Sequence, residues 1–139
     1  MIPKRRGELS ELEVHLALTR AGYVVLVAPY SDSERYDLVL DDGAGFRRVQ
    51  VKTGELTDDG GAILFPTCSN NWHAGTERTY RGDVELFAVF CPATGATYLV
   101  PVADVGTKSA MLRLTPARNN QTAGVRWARD YELRAPSGS

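Results

Sequence analysis

The residues of this chain best suited to chemistry are Asp37, Gln50 and Lys52. A carboxylate and an amide carbonyl are oxygen ligands that Mg²⁺ accepts, and a lysine ammonium can stabilise the negative charge that gathers on phosphorus during phosphodiester hydrolysis. In this scheme Asp37 binds the metal, Gln50 adds a neutral oxygen, and Lys52 orients or activates water and stabilises the transition state. These residue types together predict metal-dependent cleavage of a phosphodiester.

Two predicted strands position these residues. Segments 36–40 and 47–53 have strand-like patterns, and an Asp-Gly turn of the kind found in hairpins separates them. Side chains two positions apart on a strand share a face, so Gln50 and Lys52 project together while the neighbouring valines face the core. The aspartate on the first strand then lies within cross-strand reach of both.

The segment before this hairpin is predicted to be a helix. Residues 7–22 are amphipathic, and Gly22 is a suitable C-terminal stop. The expected buried stripe consists of Leu9, Leu12, Leu16 and Ala17. An adjacent stripe carries Glu8, Glu11 and His15, of which Glu11 is expected at the edge of the buried face, toward the strands.

The rest of the chain predicts an α/β fold around the hairpin. Further strands are expected at 23–27, 62–65, 84–91, 97–102 and 111–114. Residues 69–81 lack a clear period and are interpreted as a functional or mobile loop. We expect one helix on a central mixed sheet, with the hairpin in its middle and a C-terminal extension that includes residues 125–133 along one edge.

Composition limits the class of protein. The chain has 139 residues, 43% hydrophobic and 24% charged, which fits one domain at 1–134 with a frayed end at 135–139. No apolar run is long enough to span a membrane, so a cytoplasmic protein without a membrane partner is expected. Cys68 and Cys91 are expected to be free thiols, and the net charge of −1 argues against an indiscriminately basic nucleic-acid binder.

The pair Tyr36-Asp37 followed by Gln50-Val51-Lys52 resembles the signature of the PD-(D/E)XK nuclease superfamily. That signature has an acidic residue on one strand, then an acidic residue, any residue and a lysine on the next. This chain departs from it twice, because Tyr36 stands in place of proline and Gln50 in place of the second acidic residue. The Gln-x-Lys form is similar to the branch that contains group I intron homing endonucleases.

Upstream, the segment from Arg5 to Glu11 resembles the Lys-Gly-x-x-x-Glu start of the first helix in that branch and in archaeal Holliday junction resolvases. The resemblance covers roughly residues 4–104 and implies a restriction-endonuclease-like core. It also implies Glu11 as a metal ligand, with Glu8 as the alternative, and the Val51 carbonyl as a further ligand. Mg²⁺ is the expected ion, with Mn²⁺ possible, and no small-molecule cofactor is expected.

DNA is the expected partner. Basic side chains could form a rim that neutralises phosphates, and aromatic or histidine side chains could border or stack on DNA. The candidates are Lys4, Arg5, Arg6, Arg48, Trp72, His73, Arg78, Tyr80 and Arg81. The alternative is a set of solvated surface charges, with Trp72 anchoring its own loop.

Three functional hypotheses follow from these residues. The first is a homing-type or otherwise sequence-selective endonuclease, the second a structure-selective junction resolvase, and the third a degenerate nuclease fold kept as a DNA-binding or interaction module. The glutamine at position 50 favours the first over the second, and the retention of Asp37 with Lys52 argues against the third. Because duplex cutting needs two sites, a homodimer or homotetramer is expected.

Overall fold

The computed structural model describes residues 3–27, 35–71, 76–116 and 124–136. Its elements in chain order are α1 (Pro3–Ala21), β1 (Val24–Val27), β2 (Leu38–Asp41), β3 (Phe46–Thr53), β4 (Glu55–Leu56), β5 (Ala62–Pro66), β6 (Cys68–Asn71), β7 (Thr76–Thr79), β8 (Leu86–Cys91), β9 (Ala96–Pro101), a short 3₁₀ helix (Val102–Asp104), β10 (Ser109–Arg113) and α2 (Ala128–Tyr131).

Five strands form the central sheet in the order β1-β2-β3-β8-β9. Neighbouring strands are antiparallel except β3 and β8, which are parallel, so the sheet is mixed as predicted. The predicted hairpin is confirmed as β2 and β3, with Leu38 opposite Val49. β3 is therefore the middle strand, with a hydrogen-bonded strand along each of its edges.

The helix α1 covers one face of this sheet, but its buried stripe differs from the prediction. Ser10, Val14 and Leu18 face the sheet and are at most 2% exposed. Leu9, Leu12 and Leu16 are instead 42%, 67% and 46% exposed. Of the predicted stripe, Ala17 alone is partly buried.

Apolar residues occupy two sides of this helix, so periodicity alone does not identify the inner side. The small Ser10 lets the helix approach β3, where its hydroxyl lies 2.6 Å from the hydroxyl of Thr53. Val14 and Leu18 then pack with Val49 and Val51 in one apolar cluster. The stripe with the better fit to the sheet is buried, and the leucine stripe is left on the outside.

A second sheet, in the order β10-β5-β4, covers the opposite face. Ile63 and Phe65 of β5 pack there with Phe87 and Val89 of β8. Gly54 joins β3 to β4 at a close approach, since a Cβ atom at this position would lie 2.6 Å from Ile63 Cγ2. The strands predicted at 62–65 and 111–114 are confirmed as β5 and β10.

The prediction of an irregular loop at 69–81 is wrong in part. β6 and β7 form a two-stranded antiparallel hairpin within this segment, with Cys68 opposite Thr79. The sequence signal was missing because both strands are polar and have no apolar alternation. Residues 72–75, which follow β6 in the sequence, lie outside the described residues.

The C-terminal extension follows the edge strand β9, as predicted. Glu132 forms a bridge with Tyr98, and the Leu133 N–H donates to the Thr97 carbonyl at 2.9 Å. Pro136 is buried, although the sequence assigned it to a frayed end. Both cysteines are free thiols, as predicted. Within the described ranges, the helices are too short or too polar to cross a membrane.

Candidate active site

Asp37 lies immediately before the first residue of β2. Its backbone N–H donates to the Val49 carbonyl at 2.8 Å, and its Oδ2 accepts the Val51 N–H at 2.8 Å. Because β2 begins at Leu38, no strand among the described residues pairs with the part of β3 after Val49 on this side. The Asp37 carboxylate therefore takes the place that a strand carbonyl would otherwise occupy.

The carbonyl of Val51 faces the same opening. Along a central strand, bonding directions alternate from residue to residue. The Val49 carbonyl bonds toward β2, whereas the Arg48 carbonyl accepts the Glu85 N–H from the other side at 3.0 Å. The Val51 carbonyl, two residues further along, points in the same direction as the Val49 carbonyl. The amide nitrogen of Gln50 lies 3.5 Å from the Val51 oxygen, at the limit of a hydrogen bond.

Asp37, Gln50 and Lys52 share one face of the sheet, as the strand period predicts. Leu38 and Val51, which alternate with them, lie in the cluster under α1. Gln50 and Lys52 are partly buried on the opposite face. The structure therefore brings these three predicted residues together, on the face of β2 and β3 that α1 does not cover.

The electrostatics of Asp37 reflect its partial burial. Burial raises the pKa of its carboxyl above the ordinary value, and the Val51 N–H and the positive charge of Lys52 lower it only in part. A raised pKa means that the ionised carboxylate has lost more solvation than its present partners replace. A cation placed beside Oδ1 would supply the missing interaction.

Lys52 is held by Tyr80. The ammonium Nζ donates to the Tyr80 hydroxyl at 3.1 Å and lies 4.5 Å from the centre of the ring. Tyr80 is only 5% exposed, and its ring meets Phe87 edge-on with centroids 5.6 Å apart. The prediction that Tyr80 stacks on or borders DNA is not supported, because its ring is covered by other side chains.

Arg35 is a neighbour of this site that the sequence analysis missed. Its guanidinium lies 4.2 Å from the centre of the Tyr80 ring, and its Nη2 donates to the Thr79 carbonyl at 3.0 Å. Nη1 is 3.8 Å from an Asp83 oxygen, too long for a hydrogen bond, and Nη1 and Nε are buried without a hydrogen-bond partner. The sequence signal that could have identified Arg35 was its position two residues before Asp37.

Glu11 lies on α1, which covers the other face of the sheet, and its side chain is exposed. The neighbouring Ser10 contacts Thr53 at the end of β3, so this turn of the helix is close to the strand that carries Lys52. Glu11 directly follows the buried Ser10 and precedes the buried Val14, whereas Glu8 is farther round the helix. Of the two glutamates, Glu11 is therefore nearer to the sheet.

Several predicted DNA contacts have protein partners. Arg48 pairs with Glu85 through its side chain, Arg6 is 2.6 Å from Glu55, and Arg81 donates to the Val105 carbonyl at 2.9 Å. The Glu85 hydrogen bond raises the pKa of Arg48, and the same bond lowers the pKa of Glu85. Arg5 is exposed. The side chains of the other candidates lie outside the described residues, namely Lys4, Trp72, His73 and Arg78.

The donors at Asp37 fit a hard divalent cation. Asp37, the Val51 carbonyl and Gln50 offer oxygen ligands of the kind that Mg²⁺ and Mn²⁺ prefer. Within the described ranges, the free Asp37 oxygen, Oδ1, accepts no hydrogen bond. The described residues contain no group of three or more His, Cys, Asp and Glu side chains that could hold a metal.

The sequence matches the PD-(D/E)XK endonuclease family over residues 1–134. No curated protein matches the chain significantly. The fold is similar to that of a bacterial homing endonuclease, I-Ssp6803I, with a TM-score of 0.74 and 22% identity over 95% of this chain and 89% of that one. Because the family match spans nearly the whole sequence and includes Asp37 and Lys52, this chain belongs to the PD-(D/E)XK endonuclease family.

Proposed function

We propose that this protein is a Mg²⁺-dependent DNA endonuclease of the homing or otherwise sequence-selective type. The observation that carries the proposal is the opening beside β3, where the Asp37 carboxylate replaces a strand partner and the Val51 carbonyl faces the same space. Gln50 and Lys52 project on the adjoining face. Mn²⁺ is the expected substitute for Mg²⁺, since the ligand set consists of oxygens.

Each residue has a distinct role in this proposal. A bound divalent ion would polarise the scissile phosphate and the attacking water. Asp37 would hold the ion through one carboxylate oxygen, since the other accepts the Val51 N–H. Gln50 and the Val51 carbonyl would add neutral oxygens, and Glu11 would add a second negative charge, directly or through water. Lys52 stabilises the charge that develops on the phosphorane-like transition state and orients the water.

A cleavage assay tests this proposal. The purified protein is incubated with supercoiled plasmid, linear duplex and a four-way junction, each with Mg²⁺, Mn²⁺ or excess EDTA. Cleavage of duplex at defined sites, lost with EDTA, is expected. Preference for the junction would favour a resolvase, and binding without cleavage in any metal would favour a degenerate module. Cleavage that persists in EDTA, with contaminating nuclease excluded, would contradict the metal-dependent mechanism.

We also propose that the protein is a homodimer or homotetramer, because each chain carries one site and a duplex has two strands to cut. The surface available for self-association is the outer side of α1, where Leu9, Leu12 and Leu16 are exposed. Isolated exposed leucines are common, but three on one helix side form a contiguous apolar strip.

Analytical ultracentrifugation of Leu12→Glu tests the assembly, with Met111→Glu as the control. Met111 is 42% exposed on β10, at the opposite edge of the second sheet from β4, whose Glu55 contacts α1. The parent and the control are expected to sediment as dimers or larger species, and Leu12→Glu as a monomer. A parent that is monomeric with and without DNA would contradict the proposed assembly.

A further inference from the structure

Tyr80 holds Lys52 from a segment far along the chain. The two residues are 28 positions apart, and their contact is a hydrogen bond of 3.1 Å between the ammonium and the phenol oxygen. A lysine side chain has several rotatable bonds, so its ammonium is free to sample many positions unless a partner fixes it. On the side of the sheet that carries Gln50 and Asp37, Tyr80 is such a partner.

The surroundings of Tyr80 make it a rigid support. Its carbonyl accepts the N–H groups of Asp83 and Val84 at 3.0 and 3.1 Å, which closes a turn directly after it. Its ring packs edge-on against Phe87, which is fully buried and in turn meets Phe65 with centroids 5.9 Å apart. Phe87 lies opposite Gln50 in the parallel β3–β8 register. The hydroxyl is therefore fixed relative to the strand that carries Lys52.

A neutral hydroxyl differs from a carboxylate as a partner for a catalytic cation. A carboxylate would neutralise the ammonium, as Glu85 does for Arg48, and would oppose its attraction to a phosphate. A phenol oxygen accepts one N–H of the ammonium, and the other two N–H groups remain able to face substrate or water. The full positive charge stays at the site.

We propose that Tyr80 is a positioning residue for Lys52, fixing the ammonium where the transition-state charge develops. This inference rests on the proposed nuclease function and adds to it a residue that touches neither metal nor DNA. Its ring packs against Phe87 and lies 4.5 Å from the ammonium, and its hydroxyl accepts the hydrogen bond from Lys52. The two contributions can be separated, because Tyr80→Phe removes the hydroxyl and keeps the ring.

The main experiment compares Tyr80→Phe with Tyr98→Phe. Tyr98 is a matched control, since it is 3% exposed in the same apolar cluster and its hydroxyl meets Thr94 at 3.2 Å, not Lys52. Single-turnover cleavage rates, DNA dissociation constants and melting temperatures are measured for both. Tyr80→Phe is expected to reduce the cleavage rate roughly tenfold, as for the loss of one hydrogen bond to a charged group. DNA affinity is expected to stay within about twofold because the charge is retained.

Tyr98→Phe should lose a similar amount of stability but cleave at the parental rate. Parental cleavage by Tyr80→Phe would overturn the proposal, as would equal losses of affinity and rate, which would make Lys52 a plain phosphate contact. An equal loss of rate in both variants would assign the effect to packing and would also overturn it.

A spectroscopic measurement keeps the inference testable if the protein does not cleave. In lysine-labelled protein, the NMR resonances of the Lys52 side-chain terminus are assigned with Lys52→Arg. Tyr80→Phe should shift these resonances and speed the exchange of the ammonium protons with water, and Tyr98→Phe should leave both unchanged. If the parent protein fails to cleave but its Lys52 resonances respond in this way, the proposed function is contradicted and the positioning contact is supported. Absence of the response would overturn the positioning contact itself.

Discussion

Two carboxylates accept a backbone N–H from the same strand, yet their surroundings shift their pKa values in opposite directions. Asp37 accepts the N–H of Val51 and Glu85 that of Arg48, both at 2.8 Å. The side-chain hydrogen bond from Arg48 lowers the pKa of Glu85, whereas burial raises that of Asp37. The backbone contact is common to both, so the difference arises from the rest of each environment.

Two of the three cations of this strand, Arg48 and Lys52, differ in the same way. Arg48 shares its charge with the Glu85 carboxylate, and Lys52 contacts the neutral Tyr80 hydroxyl. One end of β3 therefore holds a satisfied ion pair, which ties β8 to β3. The other end holds Asp37 and Lys52, whose charges interact through space. Both groups can still interact with further charges. This contrast separates a structural pair from a pair suited to chemistry.

The largest expected effect is that of removing the Asp37 charge. Asp37→Asn keeps an oxygen for the Val51 N–H but removes the negative charge of the proposed metal ligand. Loss of several kcal/mol of charge stabilisation corresponds to cleavage reduced by roughly a thousandfold. Glu85→Gln, the matched change at the structural pair, should leave cleavage within a few-fold. Similar cleavage losses in the two variants, measured with plasmid in Mg²⁺, would remove the distinction between them.

The second effect concerns the two cations. Lys52→Ala should reduce cleavage by about two orders of magnitude or more while DNA affinity changes by no more than about 1 kcal/mol. Arg48→Ala should leave the chemical step nearly unchanged and lower the melting temperature, because it leaves Glu85 without its partner. Single-turnover kinetics and DNA titration separate these outcomes. A Lys52 variant that loses binding and rate equally would place Lys52 with ordinary phosphate contacts.

A third prediction concerns Gln50. Gln50→Glu adds a negative charge beside Asp37, so the half-saturating Mg²⁺ concentration for cleavage should fall. The rate at saturation need not rise, because tighter binding of the ground state does not itself lower the barrier. Gln50→Leu should raise the Mg²⁺ requirement without unfolding the sheet, since Val49 and Val51 provide the buried packing. An unchanged Mg²⁺ dependence in Gln50→Leu would exclude Gln50 from the metal site.

The smallest expected effect is on stability, and its sign differs between the two carboxylates. Ionised Asp37 destabilises the metal-free fold at pH above its raised pKa, and this cost disappears as acid protonates it. Glu85 stabilises the fold above the ordinary carboxyl pKa, and this contribution is lost as pH falls through its lowered value. In EDTA near neutral pH, Asp37→Asn should therefore raise the unfolding free energy, and Glu85→Gln should lower it.

Urea unfolding at neutral and acid pH measures these changes, and the difference between the two variants should shrink in acid. Added Mg²⁺ should stabilise the parent and not Asp37→Asn, because only the parent is proposed to bind the ion in its folded state. If both substitutions lower the unfolding free energy near neutral pH in EDTA, then burial of the Asp37 carboxylate does not determine its contribution to stability.

The grouping of Asp37, Gln50 and Lys52 was predictable because a strand has a fixed period of two, and position alone assigns the face. The inner side of α1 was not, because Leu9, Leu12 and Leu16 compete with Val14 and Leu18 for burial in any pattern based on hydrophobicity. The choice depended on the close approach of Ser10 to Thr53. That approach depends on the position of the sheet, and the sequence of the helix alone carries no information about it.

The contact between Lys52 and Tyr80 was also beyond a local pattern, since it joins two segments 28 residues apart. Tyr80 was selected for its aromatic ring, as a surface for DNA, whereas in the structure the ring is buried and the hydroxyl accepts a hydrogen bond from Lys52. Charged candidates such as Arg48 and Arg6 were chosen for their sign, but a sequence does not say which cation a nearby carboxylate already holds.

The start of β2 at Leu38 has a consequence for how such proteins lose or keep activity. Two more residue pairs in the β2–β3 ladder, the second of them Tyr36 with Val51, would give the Val51 N–H and carbonyl to a backbone neighbour, and the same Asp, Gln and Lys would stand on an ordinary hairpin. Because Val51 contributes backbone atoms, no substitution at that position deletes them except proline, which lacks the N–H. Strand length is thus a heritable property that can silence a site whose motif stays intact, and a survey of motifs alone would count such a protein as active.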